Sequence, residues 1–211
     1  MRIRINFFAI MLILSLLLSG AFYGIVPLFA ALIHELGHII AARLRGVRLG
    51  KMEIGVFGAR ISIENGIYSY ADEIIVCAAG PLVNFISADI AAILMRLGAI
   101  DGDILSVFII SSLCLGAVNL LPIRSFDGGR IICAIISRIS TPTAADICVK
   151  ILSFISLFSL WCVSLYLLLR TSASLSLFIF SVSLFANIFL EQPQNSKNKA
   201  FGSYKKNLEE N

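Results

Sequence analysis

Charge is scarce in this 211-residue chain: Asp, Glu, Lys and Arg together make up 14 % of it, against about a quarter of a soluble domain. Hydrophobic residues reach 58 % and the mean hydropathy is +0.93. Together these exclude a soluble globular protein and, outside the C-terminal tail, an intrinsically disordered one. Cysteine offers no framework. The five (Cys77, Cys114, Cys133, Cys148 and Cys162) are odd in number and scattered. None forms a C-x-x-C pair, which argues against both a disulfide scaffold and a thiolate zinc site. Histidine is limited to two residues, His34 and His38. They stand four positions apart, and that spacing directs the functional reading.

Long apolar runs are what the chain has instead. The first, Ile5 to Leu18, follows a basic start and is broken at Ser19-Gly20; hydrophobic character resumes at once, as in a helical hairpin and unlike a signal peptide. Further spans are expected over Phe22–Leu44, Asp72–Arg96, Ile104–Leu121, Thr143–Leu169 and Ser174–Leu190. Residues 49–64 alternate loosely, are broken by glycines and are too charged to span, so they read as a β-hairpin. A short amphipathic piece is expected over Arg130–Ile139. The fold expected is an all-α polytopic membrane protein with about six transmembrane helices and a small β-hairpin between the second and third. It comprises one domain over 1–190 and a polar, disordered cytoplasmic tail over 191–211.

With the N-terminus in the cytoplasm, 15 of the 17 Lys and Arg lie on the cytoplasmic side, and only Arg96 and Arg170 lie outside. The positive-inside rule therefore puts both termini in the cytoplasm. The same rule accounts for the basic tail as an orientation-setting face, with no need for a nucleic-acid partner.

His34-Glu35-Leu36-Gly37-His38 is an H-E-x-x-H motif near the end of the second span. On a helix, positions i and i+4 share a face, so two imidazoles reach one ion and the glutamate beside them reaches a water on it. A carboxylate at membrane depth is costly to insert, by about 2.5–3.5 kcal/mol for Asp, and snorkelling suits Lys and Arg better than Glu. A catalytic zinc site needs a third protein ligand. Asp127 is the first candidate, placed after Pro122 and before Gly128-Gly129-Arg130, on the same side as the histidines; an Asp-Gly turn is the competing explanation. Asp89, in mid-span, is a lesser candidate. Asn84, in Ala79-Gly80-Pro81-Leu82-Val83-Asn84, reads as a buried amide among small residues that let helices approach.

Taken in order, His34–His38, Ala79–Asn84, Asn119-Leu120-Leu121-Pro122 and Asp127-Gly128-Gly129-Arg130 resemble the site-2 protease family of intramembrane zinc metalloproteases (peptidase M50). The likeness is strongest to the compact sporulation-type bacterial branch, and it covers about residues 22–140. Ser125-Phe126 departs from the family pattern, which commonly has Pro-Leu there, while the Asn-to-Asp spacing is kept. The resemblance implies one Zn²⁺ bound by His34, His38 and Asp127, Glu35 as general base, and Asn119 and Asn84 at the substrate. It implies a membrane-anchored protein substrate cleaved in or near the bilayer, in a bacterial cytoplasmic membrane. A second copy of the chain or a membrane-protein regulator is a compatible partner.

The competing class is a non-catalytic metal-binding membrane protein, either a transporter or an inactive protease relative. A transporter is expected to line several spans with polar groups, whereas the last two spans carry mainly Ser and apolar residues. An inactive relative is expected to lack Glu35 or a ligand, and all are present. Main-chain bonds to an unwound substrate are expected from an open strand edge in residues 50–64, with Ile54 or Val56 supplying the edge donor.

Overall fold

The computed structural model describes residues 2–5, 22–47, 49–55, 58–63, 69–98, 102–171 and 182. The elements run β1 (Arg2–Ile5), α1 (Phe22–Leu44), β2 (Leu49–Gly55), β3 (Gly58–Ile63), α2 (Tyr70–Arg96), α3 (Gly102–Asn119), α4 (Asp127–Ile139) and α5 (Pro142–Thr171). Among the described residues, four helical stretches are long and apolar enough to cross a membrane: Gly24–Leu44, Tyr70–Arg96, Gly102–Asn119 and Pro142–Arg170. Their outward faces carry large apolar side chains such as Leu32, Ile40, Ile86 and Ile110, each more than half exposed. Such a surface is a liability in water and the expected one in lipid. The chain is a multi-pass integral membrane protein. The expected first span, sixth span and tail fall outside the described residues, apart from Ile5 at the end of β1 and Val182.

The chain divides into two compact units, Met1–Ser153 and Phe154–Asn211. The second includes the rest of α5, where Phe158 lies 6.4 Å from Phe154 and 6.2 Å from Trp161 between ring centroids. The residues considered below all belong to the first unit.

Each helix end has a local cause. α1 stops at a Schellman turn: Gly46 N–H bonds the Arg43 carbonyl at 3.0 Å and Val47 N–H the Ala42 carbonyl at 2.9 Å. Gly46 has φ +68°, which favours glycine there. Val47 then packs on the buried cluster of Ala41, Ala42 and Val76, fastening the end of α1 to the start of α2. A capping box opens α2. Asp72 N–H donates to Ser69 Oγ at 3.2 Å, and the Asp72 carboxylate accepts from Ser69 N–H at 3.4 Å. The same carboxylate takes Arg45 Nε at 2.6 Å.

The extended segments pair in the order β1-β2-β3, with β1 parallel to β2 and β2 antiparallel to β3. This corrects one expectation. Ile54 is paired with Ile5 on one side and Ala59 on the other, so β2 is the central strand and has no open edge. Among the described residues, the free edges belong to β1 and β3. Val56 lies outside the described residues.

α3 ends at Asn119, before Pro122, and the chain turns sharply through Leu120–Phe126. Ile123 N–H bonds the Leu121 carbonyl at 2.7 Å and Phe126 N–H the Ile123 carbonyl at 2.9 Å. Ser153 on α5 holds this turn: its Oγ accepts from Arg124 N–H at 2.9 Å and donates to the Val149 carbonyl at 2.6 Å. Ile123 and Phe126 are buried beneath it. α4 begins three residues earlier than the sequence suggests, so Asp127 is a helical residue and does not sit in a free Asp-Gly turn. Gly128 and Gly129 are helical too, with no left-handed φ. Their smallness serves close approach: a Cβ would fall 2.1 Å from the Leu120 carbonyl oxygen at Gly128, and 2.1 Å from that of Ile123 at Gly129.

Candidate metal centre

Three ligand-type side chains from two helices meet in the interior. His34 and His38 come from the buried face of α1, and Asp127 from the first turn of α4. His34 Nε2 lies 3.1 Å from Asp127 Oδ2, His38 Nε2 lies 3.3 Å from the same oxygen, and the two Nε2 atoms are 3.2 Å apart. Ligands at 2.0–2.1 Å from a tetrahedral zinc are about 3.3–3.4 Å from one another. The triangle is close to one face of that tetrahedron.

The donor chemistry fits a cation as well. His38 Nδ1 donates to the Val76 carbonyl at 2.7 Å. This fixes the tautomer and leaves the Nε2 lone pair of a neutral ring facing the triangle. Burial pushes the Asp127 carboxyl up, but the contacts with His34 and His38 outweigh it and hold its pKa at about 2. With protons off both Nε2 atoms the centre offers two imidazole lone pairs and a carboxylate in a buried space, which suits one metal ion. Among the described residues it is the group of three His, Cys, Asp or Glu side chains arranged to hold one.

α2 forms the opposite wall. Val76, Gly80 and Asn84 stand one turn apart on a single face, and α2 packs against the histidine face of α1. His38 meets Val76, and His34 Nδ1 lies 3.3 Å from Asn84 Nδ2. Between them Gly80 leaves room for both rings: a Cβ there would fall 2.4 Å from His38 Nε2 and 2.9 Å from His34 Cε1. Sequence reasoning read Gly80-Pro81 only as a site of close helix packing. Its sharper duty, clearance for two imidazoles, needed the pairing of α1 with α2. Gly37 supplies the closeness on the α1 side, since a Cβ there would fall 2.8 Å from the Ala79 carbonyl oxygen.

Glu35 follows His34 on α1, about 60° around the helix from His38 at about 100° per residue. It is half buried, with Oε2 shielded from solvent. Asn84 is fully buried, and its amide meets His34. Asn119 closes α3, and its amide donates to the Leu115 carbonyl at 3.0 Å. Asp89 is exposed on α2 and stands apart from the group. Exposed ion pairs surround the same end of the helices: Arg45 with Asp72, Arg130 with Glu73 at 3.5 Å, and Asp146 with both Arg124 and Lys150. Several of the basic residues read as orientation signals therefore also tie helix ends together, each contributing about 0–1 kcal/mol. A separate apolar cavity of about 700 Å³, lined by Ile25, Phe29, Ile33, Ile90 and Phe108 among others, contains none of the three ligand-type residues.

The sequence model of peptidase family M50 matches residues 22–100 and 96–163. The chain belongs to peptidase family M50. Curated relatives of this M50 chain include a zinc metalloprotease of Methanocaldococcus jannaschii, 29 % identical over 83 % of the chain and 53 % of the relative. Stage IV sporulation protein FB of Bacillus subtilis is 31 % identical over 53 % of the chain and 39 % of that protein. The chain thus spans about half or less of the length of these relatives. Its fold is that of a solved site-2 protease from M. jannaschii, with a TM-score of 0.63 at 24 % identity and 92 % of each chain covered. Zinc is the metal named for the curated metalloprotease, and His34, His38 and Asp127 can hold one such ion.

Proposed function

We propose that this M50 chain is an intramembrane zinc endopeptidase. It hydrolyses peptide bonds of membrane-anchored proteins in or near the bilayer, as in regulated intramembrane proteolysis. The observation that carries the reading is the buried His34–His38–Asp127 triangle, built from one membrane-length helix and the start of α4, with Glu35 next to His34 in the chain. His34, His38 and Asp127 would hold a zinc ion, which would lower the pKa of a bound water toward about 7 and supply a Lewis acid at the scissile carbonyl.

The chain's own residues do the rest. Glu35 takes a proton from the water as its oxygen adds to the carbonyl carbon. It then gives that proton to the departing amine as the C–N bond breaks, so the carboxylate is regenerated. Asp127 and the two imidazoles keep the reacting atoms in place. Asn119 contacts the substrate backbone near the scissile bond. A transmembrane helix hides its carbonyls in i to i+4 hydrogen bonds and must unwind first. Unwinding in lipid leaves groups unpaired at several kcal/mol each. The free edge of β3 offers main-chain donors and acceptors to replace them.

Both termini face the cytoplasm of a bacterium. The charge distribution supports this, and the pairing of residues 2–5 with residues 51–54 puts the N-terminal strand on the side of the His38 end of α1. The test is co-expression of the full chain with a panel of single-span membrane-anchored regulators, wild type against His38→Ala. Cleavage of at least one substrate by wild type only is the expected result. A zinc-loaded wild type that cleaves none, in the panel or as a purified enzyme with unfolded transmembrane peptides, favours the non-catalytic alternative.

A further inference from the structure

Asn84 is fully buried, and its carboxamide faces His34 Nδ1 at 3.3 Å through the atom placed as nitrogen. If His34 Nε2 turns its lone pair to a metal ion, the neutral ring must carry its proton on Nδ1. Two donors would then oppose each other. Exchanging the amide's nitrogen and oxygen leaves its shape unchanged, and that choice is made from the hydrogen-bond network. The placed Oδ1 has no hydrogen-bond partner among the described residues, so turning it toward His34 breaks no existing bond.

We propose that Asn84 is the positioning residue for His34. In the metal-loaded protein its Oδ1 accepts the Nδ1–H bond, selecting the tautomer and fixing the ring plane. Asn84 then does for His34 what the Val76 carbonyl does for His38 at 2.7 Å. The two acceptors lie eight residues apart on one face of α2, matching two histidines four apart on α1, with Gly80 clearing the space between. This assignment moves Asn84 from substrate contact to metal support. It rests on the metal-site reading and is independent of whether the site is proteolytic.

Partners of metal-bound histidines are worth about 10–100-fold in metal affinity. The test measures zinc affinity by chelator competition on the detergent-purified full chain, with folding followed by circular dichroism. Asn84→Leu keeps the size and removes the acceptor, and zinc affinity is expected to fall about 10–100-fold. Asn84→Asp keeps an acceptor and loses the donor; it is expected to bind within a few-fold of wild type. If Asn84→Leu does not fold, Asn84→Ala takes its place in the comparison with Asn84→Asp. Wild-type affinity in the apolar variant overturns the proposal. So does an Asp variant as weak as the apolar one, since Asn84 would then act as a donor or a filler. A wild-type chain that binds no zinc overturns the metal-site reading itself.

Discussion

A methyl group on Gly80 would sit 2.4 Å from Nε2 of His38, closer than any real Cβ contact allows. The ring cannot retreat easily, because its other nitrogen is held by the Val76 carbonyl at 2.7 Å. Gly80→Ala improves helix propensity by about 1 kcal/mol, so helix content is expected to be retained. Zinc affinity is expected to fall at least about 10-fold, the lower figure for disturbing a ligand's support. Metal analysis beside circular dichroism checks it, and a Gly80→Ala chain with full zinc affinity would mean that the rings sit elsewhere.

The two acidic candidates separate cleanly. Asp127 lies within 3.3 Å of both histidine Nε2 atoms, and Asp89 is exposed on α2. Asp127→Ala is expected to lose bound zinc, and Asp89→Ala to keep about one ion per chain, by metal analysis of purified protein. The opposite pattern would assign the third ligand to Asp89.

Acidification should release the metal through the histidines. Asp127, with its pKa held at about 2, stays ionised far below neutrality, so its protonation is not the first event. Protons compete with metal for both Nε2 atoms. Zinc affinity is therefore expected to fall as pH drops, by up to about 100-fold per unit where two protons are taken up for each ion released. A chelating dye across a pH series measures it. Affinity unchanged down to pH 4 would contradict a two-histidine site.

Ser153 tests how the third ligand is delivered. Its hydroxyl accepts the Arg124 N–H in the turn just before Asp127. Ser153→Ala strands that partly buried donor, at about 1–3 kcal/mol. A lower thermal midpoint and a smaller loss of zinc affinity than in Asp127→Ala are expected. An unchanged midpoint would show that the turn is held by other contacts.

The membrane spans over 22–44, 70–96, 102–119 and 142–171 were legible because lipid demands long apolar helices, and their limits differ from expectation by only a few residues. The shared face of His34 and His38 was legible because i and i+4 spacing is local. Asp127 was legible as a candidate, since Pro122 marks the end of a span on the histidine side. Other features depend on contacts distant in sequence, which spacing does not encode. These are the Val76–Gly80–Asn84 wall, the close approach that makes Gly128 and Gly129 small, and the pairing of β1 with β2. That last pairing is why an open edge expected at Ile54 is instead closed on both sides. Asn84 was legible as a buried amide, while its contact with His34, 50 residues away, was not.

Peptide-bond hydrolysis by the ligand triangle together with Glu35 is the activity proposed for this chain. Its most direct test is the cleavage rate of a membrane-anchored substrate by purified wild type and Glu35→Gln, with zinc measured in both. About one zinc per chain is expected in each protein, with a loss of cleavage of about 10²–10⁴-fold in the variant, the range for removing a general base. Cleavage by zinc-loaded Glu35→Gln at the wild-type rate would contradict it.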